Sequence, residues 1–93
     1  AQDGIVVAIV TLDAQAGHLV VRPDIVSRGF VDPELGKALI EESRDLVVKM
    51  FEEEVQRVSD SAVISNRVRD LLSKFYYERT RRRPMVLPVL VTV

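Results

Sequence analysis

Cysteine is absent from the chain. That excludes a disulfide framework and any thiolate metal site, and it suits a cytoplasmic setting. There is one histidine, His18, beside a turn. A single imidazole there supports neither a histidine-rich metal set nor a Ser-His-Asp arrangement. The four glycines stand apart from one another, so no glycine-rich phosphate loop exists. No apolar run approaches the roughly 20 residues of a membrane span. The apolar segment near the start has no basic flank and follows Asp3, so no secretory leader is expected. Thirteen basic and fourteen acidic residues give a net charge of −1. No field of one sign therefore advertises nucleic acid or a membrane surface. The chain alone is expected to be non-catalytic, to hold no cofactor and to avoid membranes.

What is present is a modest supply of core. The 93 residues are 47% hydrophobic, enough for one domain over 1–93. Its floor is Gly4 to Leu12, nearly all apolar and rich in Val and Ile. β-branched side chains are stiff at χ1 and fit a pleated surface, so this stretch predicts a strand covered on both faces. A chain that enters its core strand almost at once is expected to be a piece of a longer multidomain protein.

Asp13 to Gly17 is turn chemistry, and His18 to Arg22 predicts a second strand in hairpin with the first. Pro23 ends that strand, and Asp24 to Val31 predicts an ordered loop burying Ile25, Val26 and Phe30. Asp32-Pro33-Glu34 opens a helix: a side-chain cap, a proline at the first helical position, and an acid matched to the dipole. The apolar spacing carries that helix from Pro33 to about Val58 in two stripes. One comprises Leu35, Leu39, Leu46 and Met50; the other comprises Ile40, Val47, Phe51 and Val58. Glu41, Asp45, Lys49, Glu52 and Gln56 lie opposite, facing water. Ser59-Asp60-Ser61 supplies a new cap, and a second helix follows from Ser61 to Thr80. Ile64, Val68, Leu71, Leu72 and Phe75 form its inner face, with Tyr76 and Tyr77 straddling core and solvent. Pro84 stops it, and Met85 to Val93 predicts a third strand, kept to a sheet edge or a bulge by Pro88. The expected fold is α+β in the order β-β-α-α-β, a small three-stranded sheet with both helices on one face.

The acidic pairs Glu41-Glu42 and Glu52-Glu53-Glu54 read as a wet helix face rather than as catalytic groups. Two basic features carry alternatives. Arg28 either pairs with a carboxylate in a buried loop shaped by Gly29, or reaches a partner or RNA. Arg79, Arg81, Arg82 and Arg83 either close the second helix, or hold phosphates by multidentate contacts, with tyrosines near enough to stack on bases. Apolar area is in surplus. The stripe Ile40, Val47, Phe51, Val58 and the strand residues Met85, Leu87, Val89 are candidates for contact with a second copy of the chain.

Three segments then converge on one family. They are Val6-Val-Ala-Ile-Val-Thr-Leu-Asp13, Pro23-Asp-Ile-Val-Ser-Arg-Gly-Phe-Val31 and Phe75-Tyr-Tyr-Glu-Arg-Thr-Arg-Arg-Arg-Pro-Met-Val-Leu-Pro-Val89. Together they resemble the C-terminal domain of bacterial ribonuclease J, in the same order and over nearly the whole chain. The Ser-Arg-Gly-Phe loop followed by Thr-Arg-Arg-Arg-Pro-Met is the most specific part. Arg22 departs from the family, where a glycine commonly precedes the proline, which makes that bend stiffer.

The resemblance implies a parent enzyme that is cytoplasmic and zinc-dependent and that processes and degrades RNA. Such an enzyme acts as a 5′-to-3′ exonuclease and as an endonuclease, with metallo-β-lactamase and β-CASP domains besides this one. The family's His-x-His-x-Asp-His metal motif has no counterpart here, so no catalytic or zinc-binding role carries over to any residue. The resemblance further implies subunit assembly, as a dimer or tetramer, through this accessory domain, with RNA bound by the parent enzyme.

Overall fold

The computed structural model describes residues 3–15, 17–53 and 60–93. The element order is β1 (Ile5–Leu12), β2 (Asp24–Arg28), α1 (Pro33–Glu53), α2 (Ser61–Thr80) and β3 (Met85–Thr92). The α+β architecture agrees with the sequence reading. The sheet order is β2-β1-β3, with β1–β2 antiparallel and β1–β3 parallel. A parallel return requires a long crossover, which the two helices supply. α1 lies over β2 and α2 over β3, on one face of the sheet.

The caps behave as their residue types dictate. The Asp32 carboxylate accepts from the N–H groups of Glu34 and Leu35 at 2.9 and 3.0 Å. That of Asp60 accepts from Ala62 at 2.9 Å. The expected end of the first helix near Val58 lies outside the described residues.

The second strand is displaced from its expected place. His18 to Arg22 is not a strand: Leu19 alone bridges to Leu12, and Val20 and Val21 are 50% and 58% exposed. The ladder is made instead by Asp24–Arg28, the stretch read as a loop. Pairing there places Ile25 inward at 4% exposure and turns Val26 outward. The register is set by a close approach at Gly4 and by Gly29, which has a positive φ of 70°. Periodicity cannot report contacts between backbones distant in sequence.

The helix stripes also resolve differently. The buried face of α1 is one stripe, Gly36, Leu39, Ser43, Val47, Met50 and Phe51. Leu46 and Ile40 flank it, half-buried. Leu35 is 73% exposed because the first turn directs Gly36 inward, against the Val31 side chain. Tyr76, expected at the rim, is wholly buried and meets Phe30 edge-on at 4.9 Å.

That tyrosine needs a partner for its hydroxyl, and Ser43 provides it. The Ser43 hydroxyl donates to the Leu39 carbonyl at 2.8 Å and accepts from the Tyr76 hydroxyl at 2.8 Å. Burial pushes the Tyr76 phenol above its ordinary pKa. The two ends of this pair should not be equivalent. Ser43→Ala leaves a buried phenol unpartnered and should cost up to about 3 kcal/mol, whereas Tyr76→Phe should cost about 1 kcal/mol. Urea unfolding of both variants checks the asymmetry.

Candidate functional site

β1 alternates strictly. Val6, Ala8, Val10 and Leu12 are buried beneath the helices, whereas Ile5, Val7, Ile9 and Thr11 point to the other side. β3 repeats the pattern, with Met85, Leu87, Val89 and Val91 outward at 39–48% exposure. The register assembles these into rows. Arg28, Ile5 and Met85 lie side by side; Val26, Val7 and Leu87 form the next row, and Asp24, Ile9 and Val89 the third. Thr11 and Val91 extend it. The sheet thus presents a continuous aliphatic face on the side away from the helices. Coverage of β1 on both faces, expected from its composition, is not achieved by the described residues.

Among the described residues of the face, charge lies along its β2 margin. Arg28 stands at one end and Asp24 at the other, both exposed. Arg28 has no carboxylate within ion-pair distance among the described residues, while Asp24 lies 3.5 Å from the Arg44 guanidinium.

Of the candidate interface residues, Met85, Leu87 and Val89 therefore lie on this open face. Val47 and Phe51 do not: at 0% and 5% exposure they belong to the domain's own core and offer no free area. Ile40 is half-buried against that core, and Val58 lies outside the described residues.

The arginine cluster is divided by the fold. Arg79 reaches across to α1, its Nη1 lying 2.9 and 2.8 Å from the two Glu42 carboxylate oxygens. Arg82 donates to the Phe30 carbonyl at 2.6 Å and lies 3.8 Å from Asp3. Arg81 and Arg83 instead approach the Tyr77 ring, with guanidinium carbons 5.2 and 4.5 Å from its centroid. Hydrogen bonding and charge from Arg83, and then from Arg81, hold the Tyr77 phenol below its ordinary pKa.

Arg81 is also the one non-glycine residue with positive φ among those described, at 61°, where its N–H donates to the Tyr77 carbonyl and closes α2. A left-handed conformation strains any residue with a Cβ. Arg81→Gly should therefore raise stability by about 0.5–1 kcal/mol, read as a higher thermal midpoint.

Ser43 and Gly4 were not singled out from the sequence. A serine among apolar helix positions i−4 and i+4 was the available signal for the first, and the second had none. Among the described residues, no group of three or more His, Cys, Asp or Glu side chains is placed to hold a metal ion. None of the described helices is long and apolar enough to cross a membrane.

Comparison with known proteins places this geometry in a family. The ribonuclease J C-terminal domain profile matches residues 1–93. Ribonuclease J2 of Bacillus subtilis strain 168 is 37% identical over 93 residues, covering 99% of this chain. Ribonuclease J 2 of Staphylococcus epidermidis strain RP62A is 41% identical over 92 residues, and that of Staphylococcus aureus strain NCTC 8325 is 39% identical over 92 residues; each match covers 97% of this chain. The matched region is only 16–17% of those relatives' own length. The chain belongs to the ribonuclease J C-terminal domain family.

Proposed function

With that membership as the premise, we propose that residues 1–93 are the accessory assembly domain of a multidomain ribonuclease. It joins two copies of the parent through the open sheet face. The observation that supports this is the unbroken aliphatic surface of rows running from Met85 to Val91, continuous with Ile5, Val7, Ile9 and Val26. Contiguous exposed apolar area on a folded domain marks an interaction site. A second copy suits it for an electrostatic reason. Stacking two such faces about a two-fold axis that crosses β2 sets Arg28 of each copy over Asp24 of the other. A tetramer would require a second surface as well.

On this reading the parent is a cytoplasmic zinc-dependent exo- and endonuclease acting on RNA, and bond cleavage occurs outside residues 1–93. The described residues do not fit zinc: His18 is the sole imidazole of the chain, and it belongs to no group of three or more His, Cys, Asp or Glu side chains among the described residues. Sedimentation velocity of the intact parent, with and without this domain, tests the proposal. Deletion should leave a protomer; an unchanged assembly would overturn it.

A further inference from the structure

The assembly reading uses the sheet face and leaves the exit of α2 without a task. Two of its four arginines are occupied by the fold itself. Arg79 is held by Glu42, and Arg82 by the Phe30 carbonyl and Asp3. Arg81 and Arg83 are different. Both are exposed, and neither has a carboxylate within ion-pair distance among the described residues. The Asp3 carboxylate, which faces this exit, accepts from the Arg83 main-chain N–H at 2.7 Å, which fixes the backbone without engaging the guanidinium.

Two cations gathered on one half-buried ring repel each other. Arg81 also holds a left-handed backbone, where a glycine would sit more easily. Strain retained at an exposed position points to a use. Two guanidinium forks beside a phenol hydroxyl present many donors and little acceptor capacity, the pattern that recognises phosphate oxygens. Guanidinium planes and aromatic rings also accept stacked bases, which a simple phosphate site would not need.

We propose that Arg81, Arg83 and Tyr77 form a contact site for single-stranded RNA, with the two guanidiniums on backbone phosphates and the stacked group against a base. This rests on the reading that the parent acts on RNA. It is independent of the assembly face, which begins at Met85 and points away from the helices.

The test uses the full-length parent and a fluorescent 2′-O-methyl oligouridylate, which is not cleaved, in an anisotropy titration between about 50 and 200 mM salt. The variant is Arg81→Asn with Arg83→Gln, since asparagine tolerates the left-handed conformation. Removing two phosphate contacts should flatten the slope of log K against log salt by about 1.4 and weaken binding at least tenfold at the lower salt. Tyr77→Leu should weaken binding with a slope close to the wild type's. Arg69→Gln, exposed near the middle of α2, should change neither. An unchanged slope in the double variant overturns the site, as does an equal loss in Arg69→Gln, which would indicate diffuse attraction. Sedimentation of the double variant should match the wild type, so failure of the RNA site is separable from failure of assembly. A wild-type parent that does not bind the oligonucleotide overturns both the site and the RNA reading beneath it.

Discussion

On the proposed sheet-face pairing, Leu87→Arg in the full-length protein should reduce the assembly to its protomer. Leu87 is central to the open face, level with Val7 on β1 and Val26 on β2. It is 42% exposed, so within the isolated domain the substitution places a charge in water at little cost. Across a two-fold interface the same residue is buried from both sides, and each substitution counts twice. Losing one leucine's burial costs about 1.5–3 kcal/mol, so the pair costs about 3–6 kcal/mol before the desolvation of two arginines is added. Self-association should therefore weaken by at least about a hundredfold. The unfolding midpoint of the domain should scarcely move, which separates a lost interface from a lost fold. Sedimentation velocity at micromolar protein reads the first, and thermal unfolding reads the second. Exchanging the charges at Asp24 and Arg28 sharpens the test. Arg28→Asp alone should weaken assembly, and adding Asp24→Arg should restore it. An oligomer of full mass in Leu87→Arg would sink the sheet-face pairing.

Gly4→Ala should be among the most damaging single changes to the fold, at about 3 kcal/mol or more. Gly4 has φ +90°, a conformation that strains residues bearing a Cβ. An added Cβ would also meet backbone atoms of Arg28 and Gly29, the closest at 2.4 Å. Those atoms belong to the end of β2 and its exit, so relief requires the strand to move rather than a side chain to rotate. Gly17 supplies the control. It has φ +72° but no heavy atom within 4 Å of a built Cβ, so Gly17→Ala should cost only the conformational strain, about 1–2 kcal/mol. The difference between the two variants, measured by urea unfolding with the m-value compared, isolates the backbone approach that sets the β1–β2 register.

The legible parts of this protein were those governed by neighbours in sequence. Asp32 and Asp60 act as caps because a short carboxylate reaches N–H groups two and three residues on. The second helix matches its expected bounds because its apolar spacing and Pro84 are local facts. β1 and β3 follow from runs of Val, Ile and Leu, and Pro88 in β3 agrees with an edge strand. The misplacement of β2 has the opposite cause. His18 to Arg22 and Asp24 to Arg28 are comparable as strand formers, and the choice between them was made by what lies across the sheet.

The same division holds for the candidate sites. Composition identified a surplus of apolar surface and a cluster of four arginines in five positions. It did not say which apolar residues the core would consume or which arginines would be neutralised. Val47 and Phe51 went inward, and Leu87 and Val89 stayed out, because both helices pack on the same face of the sheet. Arg79 and Arg82 found partners on α1 and after β2, whereas Arg81 and Arg83 met only Tyr77.

The chain by itself therefore determined the class of fold, the start of the first helix, both ends of the second and the family, because caps, breakers and periodic burial act over a few residues. The tertiary structure alone decided the β2 register, the Ser43–Tyr76 pair and the identity of the surfaces left free. Each of these depends on the close packing of atoms far apart in sequence, and no local pattern encodes which of several chemically similar residues will be the one that is covered.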